Sequence, residues 1–229
     1  MTEGAADAQH RLSGVRKVIA QRMLASLHGT AQLTYHGDAD VTALMARRRE
    51  WKAAGHAISL EDCLIYAIAR SLEAFPEFNS VADESSFTRH STIDLSLAIS
   101  TSAGLMTPVL RDAGTMSLGQ LASARRDLVT RGLSGKLTVS EMKGGSFTLS
   151  NLGHTRVRYF TPILNAGQLA LLGVGRLEKA VDFDAAGNVR PMQTLPLSLT
   201  ADHRIIDGEP AGKFLDTLCK QLEDFGAEP

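Results

Sequence analysis

Cysteine is scarce in this 229-residue chain, which has only Cys63 and Cys219. Two thiols build neither a disulfide framework nor a zinc site on their own. Both fall on the apolar faces of expected helices. That fits buried, reduced thiols and a cytoplasmic location. An excess of charge is also lacking: 24 Lys and Arg face 25 Asp and Glu, a net of −1. Net charge therefore gives no reason to expect nucleic acid or another polyanion as partner. No apolar run reaches the ~18 residues that a membrane span needs. Met1 to His10 is polar and leads into no apolar stretch, so no secretory signal is expected. The G-x-S-x-G elbow, the Walker loop and H-E-x-x-H are all missing. Gly173-Val174-Gly175-Arg176 opens like a dinucleotide fingerprint but lacks the third glycine and a following helix.

The apolar fraction of 44% is ample for a sizeable core. Without repeats or low-complexity linkers, the simplest organisation is a flexible leader over 1–12 and one domain over 13–229. Val15, Val18, Ile19, Met23 and Leu27 recur at helical spacing. Leu33 to Val41 reads as a strand interrupted by Gly37, and 41–54 as a basic helix ended by Gly55. The clearest helix is 59–75. Leu60, Cys63, Leu64, Ala67, Ile68, Leu72 and Phe75 form one stripe, with Ser59 as N-cap and Pro76 beyond the end.

Strand signals follow. Ile93, Leu95, Leu97 and Ile99 alternate with polar or small residues, and 105–110 continue after a Ser102-Ala103-Gly104 turn. A helix is expected at about 117–132 and strands at 146–150 and 168–175. A hairpin connection falls at 183–188. Leu195, Leu197 and Leu199 alternate with Pro196, Ser198 and Thr200, and a last helix begins near Pro210. Helices cluster at 15–75, strands follow, and single helices sit near 120 and 215. This segregation predicts an α+β fold with a largely antiparallel or mixed sheet.

Of seven histidines, His10 and His90 stand in polar contexts, and His28, His36, His56 and His154 have no evident partner. His203 differs: it follows an apolar strand and precedes a helix, in Thr200-Ala201-Asp202-His203-Arg204-Ile205-Ile206-Asp207-Gly208. An imidazole at such a junction can project into a cleft and move protons near neutral pH. Asp207, four residues on, can orient a neighbouring group; alone, the pair equally fits a structural histidine with an N-cap aspartate. In Gly144-Gly145-Ser146-Phe147-Thr148-Leu149-Ser150-Asn151-Leu152-Gly153, alternation puts Thr148 and Ser150 on one strand face. A strand-end hydroxyl can stabilise an oxyanion.

Taken together, these two segments resemble the catalytic domain of the dihydrolipoamide acyltransferases of 2-oxoacid dehydrogenase complexes, relatives of chloramphenicol acetyltransferase. The resemblance runs from about residue 11 to 224. DHRIIDG at 202–208 and GGSFTLSNLG at 144–153 are its most specific parts. GVRKVIAQRM at 14–23, PEFNS at 76–80, GLMTPVLRDA at 104–113 and FTPILN at 160–165 support it. It implies a chloramphenicol acetyltransferase-like two-layer sandwich, a mixed sheet packed with helices. The implied reaction moves an acyl group between dihydrolipoamide, supplied on a lipoyl-carrying protein, and coenzyme A. His203 would be the general base and Ser150 the oxyanion donor. Asp207 would hold the local geometry through an N-terminal arginine, either Arg11 or Arg16. Arg48 matches an arginine near the coenzyme A phosphates, with a solvated charge as the plain alternative. Leu172 matches an apolar residue at the coenzyme pocket, with a core leucine as its alternative.

The family also implies a homotrimer with the active site between subunits, and possible contact with other components of the complex. Larger cores join trimers through an apolar C-terminal tail. Here the tail is acidic and has one bulky apolar residue after Leu222, so an isolated trimer is expected. No lipoyl or subunit-binding domain is seen, which fits an excised core or a homologue that serves a lipoyl domain on another chain. Arg156, Arg158 and the Ala166-Gly167 pair depart from the family pattern near the expected substrate channel. Two other functions suit the same residues: a coenzyme A-dependent acetyltransferase of a small hydroxyl acceptor, and a catalytically silent trimeric scaffold.

Overall fold

A computed structural model of the chain describes residues 11–101 and 104–229, apart from the side chain of Val15. The leader up to His10, the Ser102-Ala103 turn and the Val15 position of the first apolar stripe lie outside the described residues. In chain order the elements are α1 (Gly14–Gly29), β1 (Gln32–Asp40), α2 (Thr42–Ala53), α3 (Leu60–Ala74), β2 (Ser80–Ala82), β3 (Phe87–Arg89), β4 (Leu95–Thr101), β5 (Gly104–Met106) and β6 (Val109–Leu110). They continue with α4 (Leu118–Leu133), β7 (Phe147–Asn151), β8 (Ala170–Val174), β9 (Glu178–Phe183), β10 (Val189–Asp202) and α5 (Gly208–Glu223).

One eight-stranded sheet runs in the order β1-β10-β8-β7-β4-β5, with β6 also paired to β4 and β9 to β10. β4, β7 and β8 are parallel and the remaining pairs antiparallel, so the sheet is mixed. The short β2–β3 hairpin stands apart.

Strand alternation gives the sheet two unlike faces. Phe147 and Leu149 of β7, Leu172 and Val174 of β8, and Leu195, Leu197 and Leu199 of β10 are all buried in the core. α3 and α5 supply the other side of that core. Phe214 of α5 stacks on Phe78 with ring centroids 4.3 Å apart and tilts over Phe147 at 5.9 Å. The opposite face carries Thr34, His36, Thr148, Ser150, Ser198 and Thr200. Its polar atoms pair across strands: Thr34 and Thr200 share a 2.7 Å hydrogen bond, and His36 Nδ1 lies 3.0 Å from Ser198 Oγ. Such pairing lets a sheet face bury hydroxyls without leaving them unsatisfied.

The capped helix is placed as its sequence predicts. Ser59 Oγ accepts from Asp62 N at 3.1 Å, and Asp62 Oδ2 accepts from Ser59 N at 2.7 Å. Asp62 is fully buried and also takes the Arg125 guanidinium at 2.5 Å, which ties α4 to the start of α3. A buried carboxylate is retained only with such partners.

Three details differ from the sequence reading. β1 passes through Gly37 without a break, because Gly37 pairs with Leu197 and leaves room for the Leu215 side chain. Ile93 precedes β4 instead of opening it, and its carbonyl accepts from Ala113 N at 2.8 Å. The 105–110 stretch is split by Pro108, which has no N–H for the ladder although its carbonyl still accepts from Leu97 N at 2.9 Å. Cys63 is buried and Cys219 half-buried; burial pushes both thiols up to about 12, so they stay protonated and unreactive. On α1, Val18, Leu24 and Leu27 are 46%, 55% and 44% exposed, so much of its apolar stripe finds no partner inside the chain.

Candidate active site

His203 sits where β10 ends. Its backbone N–H donates to Ala31 O at 2.8 Å, so the start of β1 fixes the height of the imidazole. The preceding Asp202 is wholly buried and holds the corner. It accepts from Ala31 N at 3.2 Å, from Arg204 N at 3.2 Å and from Arg204 Nη2 at 2.7 Å. Burial alone would raise the Asp202 pKa; the Arg204 hydrogen bonds, the two backbone donors and the Arg204 charge outweigh it, and the net direction is down. Ile205 N and Ile206 N return to Asp202 O at 3.1 and 3.0 Å, closing the turn that leads into α5.

The imidazole itself is 43% exposed. Its Nδ1 faces Asp207 Oδ1 at 3.7 Å, too far for a hydrogen bond but near enough for a charge to be felt. Asp207 is the N-cap of α5, yet its side chain makes no cap bond and is 82% exposed. Arg11 and Arg16 are exposed, and neither forms a hydrogen bond or ion pair with Asp207 among the described residues. The arginine link implied by the family is therefore not made within one chain.

Ser150 belongs to a different cavity. It lines a cleft of about 410 Å³ with Thr148 and Leu171 of the sheet, Arg22 and Met23 of α1, and the Phe160–Asn165 segment. Its hydroxyl has no hydrogen-bond partner among the described residues. The floor beneath it is rigid. Asn165 Nδ2 donates to Thr148 Oγ1 at 2.8 Å, Thr148 donates to Gln168 Oε1 at 2.5 Å, and Gln168 Nε2 donates to Gly145 O at 2.7 Å. Gln168 Nε2 also reaches Ser96 Oγ at 3.3 Å, so both amide hydrogens point at acceptors while Oε1 accepts, which fixes the orientation of that amide. The far wall depends on Gly173, where a Cβ would come within 2.6 Å of the Phe160 ring. Any side chain there would push Phe160 into the cleft.

Within one chain the imidazole and the hydroxyl do not meet. Ser150 is level with Gly173, and Gly173 with Ser198. His203 lies five residues further along the same strand. At 3.3–3.4 Å per residue that is ~17 Å along the sheet, with two strand spacings across it. Each chain thus carries two separate clusters, Ser150 with its cleft and His203 with Asp207, and α1 stretches between them. Arg22 and Met23 wall the Ser150 cleft, while Ser26 and Thr30 border a hollow next to Asp202 and Arg204.

The other sequence candidates are scattered. Arg48 points its guanidinium at Ile58 O, with Nε and Nη2 at 3.3 and 3.2 Å, in a concave surface shared with Arg49, Lys52 and His56. Leu172 is wholly buried on the helix side of the sheet and lines none of the described cavities. Its neighbour Leu171 faces Ser150, since adjacent strand residues point to opposite faces. Arg158 was expected to add charge near Ser150. It instead pairs with Glu178 at 3.4 Å and lies over the Tyr159 ring, and it does not line the Ser150 cleft. Ala166 and Gly167 border the hollow beside Asp202. Sequence reasoning missed Asn165 and Gln168; the available signal was two amides flanking an Ala-Gly turn just before a buried strand.

Residues 4–227 match the family model of the 2-oxoacid dehydrogenases acyltransferase catalytic domain. The dihydrolipoyllysine-residue succinyltransferase component of the 2-oxoglutarate dehydrogenase complex of Haemophilus influenzae is 35% identical over 93% of this chain and 53% of its own length. The acetyltransferase component of the pyruvate dehydrogenase complex of Mycobacterium bovis is 37% identical over 95% of this chain and 41% of its own. The chain spans about half the length of these curated relatives. Among solved structures, the Azotobacter vinelandii dihydrolipoamide acetyltransferase superposes with TM-score 0.91 at 32% identity, over 97% of this chain and 93% of that one. That work concerned the role of a serine, a histidine and an asparagine four residues after it in the catalytic mechanism. Chloramphenicol acetyltransferase, at TM-score 0.55 and 20% identity, shares the fold. The fold is that of a chloramphenicol acetyltransferase-like protein. More narrowly, the chain belongs to the family of 2-oxoacid dehydrogenase acyltransferase catalytic domains.

The buried Asp202 generates a pH prediction. A carboxyl whose folded pKa lies below its unfolded value stabilises the fold at pH above the unfolded value, and that stability is lost as pH falls through the folded one. Asp202→Asn is expected to cost about 2 kcal/mol at pH 7, from lost charge-assisted hydrogen bonds. Stability of the variant should then fall less than that of the wild type between about pH 4 and pH 2, where the ordinary carboxyl range ends. Urea unfolding across that range checks both.

Proposed function

We propose that the chain is an acyltransferase moving an acyl group between dihydrolipoamide and coenzyme A, with its active site assembled between neighbouring copies. The observation that carries this is the separation of the half-sites. A free imidazole and a free hydroxyl stand ~17 Å apart along one rigid sheet, each open to a second chain. The structural likeness favours the lipoyl-dependent branch over transfer to a small hydroxyl acceptor, with TM-scores of 0.91 against 0.55.

The chemistry follows from the groups present. With Nδ1 of His203 turned to Asp207, Nε2 is the nitrogen left to accept a proton. It takes the proton of the attacking thiol, whose ordinary pKa of about 8.5 is within reach of an imidazole near 6.5. The thiolate sulfur forms a bond to the thioester carbonyl carbon, and the carbonyl oxygen becomes an oxyanion. Ser150 Oγ–H from the facing chain donates to that oxyanion. Collapse breaks the bond to the original sulfur, which leaves as thiolate and recovers the proton from the imidazolium. No acyl-enzyme forms, because the substrate sulfur is the nucleophile. The Arg48, Arg49 and Lys52 surface offers positive charge suited to the coenzyme A phosphates. The lipoyl group would arrive on a lipoyl-carrying protein, which raises its effective concentration at the cleft. Contact with other 2-oxoacid dehydrogenase components belongs to the same proposal.

We also propose that assembly stops at the trimer. Phe225, the one bulky apolar tail residue, is docked on its own chain, with its ring 6.2 Å from Trp51 and 5.6 Å from Tyr66. Arg47 holds the Phe225 carbonyl at 2.8 Å and pairs with Glu228, and Trp51 Nε1 donates to Glu228 Oε2 at 3.2 Å. Residues 225–228 fastened in this way are not free to join trimers.

Transfer from acetyl-coenzyme A to dihydrolipoamide is the primary assay. Ser150→Ala is expected to lower kcat by about 10²–10³, the usual cost of one oxyanion donor. His203→Ala should lose at least as much, with KM little changed. Wild-type turnover in His203→Ala would overturn the assignment, and a silent wild type would point to a scaffold. Light scattering should give about 74 kDa for a trimer of 24.6-kDa chains, and a 24-mer would contradict the tail argument.

A further inference from the structure

Tyr35 has no role in the mechanism above, yet it sits directly under it. β1 places Tyr35 opposite Leu199, with its ring packed against the core. Its Oη is buried and has no hydrogen-bond partner among the described residues. Buried hydroxyls without partners are rare enough to need a reason. This one ends at the first turn of α5, where a Cβ on Gly208 would lie 3.7 Å from it. Asp207 is the adjacent residue. Burial and the Asp207 charge both raise the tyrosine pKa, which keeps the hydroxyl protonated and able to donate.

The Asp207 carboxylate, 82% exposed to solvent, is a charged acceptor close enough to act on the Tyr35 hydroxyl. It makes no cap bond, and its nearer oxygen stops 3.7 Å short of His203 Nδ1. The charged groups next to Asp207 in the chain are already paired, Asp202 with Arg204 and Glu209 with Lys213.

We propose that Tyr35 is a positioning residue for acyl transfer: its buried hydroxyl donates to one oxygen of Asp207 in the working state and so aims the other oxygen at His203 Nδ1–H. A carboxylate has room for both donors. The result is a single imidazole tautomer, with Nε2 free to take the thiol proton. Tyr35 touches no substrate and acts only through Asp207. The inference rests on the proposed acyltransferase reaction, but part of its test does not.

The test compares Tyr35→Phe, Asp207→Asn and the double variant in the intact assembly. Tyr35→Phe should lower kcat about tenfold with KM for both substrates unchanged, and the double variant should be no slower than Asp207→Asn alone. Ring nitrogen NMR on histidine-labelled protein should show the His203 proton on Nδ1 in the wild type and shared between both nitrogens in Tyr35→Phe. Multiplying losses in the double variant would overturn the proposal. So would a lower melting temperature and kcat with the His203 tautomer unchanged, which would mark the hydroxyl as merely structural. A tautomer change in a protein without transferase activity would support the positioning role while removing the proposed function.

Discussion

The antiparallel register of β10 against β8 is the constraint on which the chemistry depends. It sets Ser198 level with Gly173, and the parallel register of β7 against β8 sets Gly173 level with Ser150. His203 follows at the far end of β10. A sheet held by cross-strand hydrogen bonds does not bend to bring residues ~17 Å apart together. The chain therefore keeps His203 and Ser150 apart, and in the proposed mechanism a second copy supplies the missing partner to each.

That constraint makes sense of the polar sheet face. A sheet packed on helices alone would be apolar on the helix side and solvated on the other. Here the second face carries buried hydroxyls at Thr148, Ser198 and Thr200, each satisfied across strands or by Asn165 and Gln168. This rigid polar floor holds Ser150 while leaving its own hydroxyl unpaired. The exposed apolar residues of α1 lie on the helix that runs between the two clusters, and in the proposed assembly they give a second chain something to bury.

Much of the fold was legible because it rests on local periodicity. The stripe from Leu60 to Phe75 and the Ser59 cap identify α3, and alternation through Leu195, Leu197 and Leu199 identifies β10. His203 and Ser150 were legible as residues, since a histidine after an apolar strand and a serine at a strand end carry local signals. Their separation carries no local signal and was expected only from the family resemblance, because strand order is non-local: nothing in residues 147–151 says that β8 lies between them and β10. The face of Leu172 was hidden for another reason. Leu169 to Leu172 is apolar throughout, so the period of two leaves no mark and the cleft-facing residue proved to be Leu171. Arg158 looked like a charge for the substrate channel because its partner Glu178 lies on another strand.

The central claim is that one active site takes its histidine and its serine from different chains. Co-refolding equal amounts of His203→Ala and Ser150→Ala chains tests it most directly. Each parent assembly should be nearly inactive. Random mixing places an intact histidine opposite an intact serine at about a quarter of the interfaces, so about a quarter of wild-type activity should return. Mixed assemblies as inactive as either parent would contradict the account, because both groups would then have to come from the same chain.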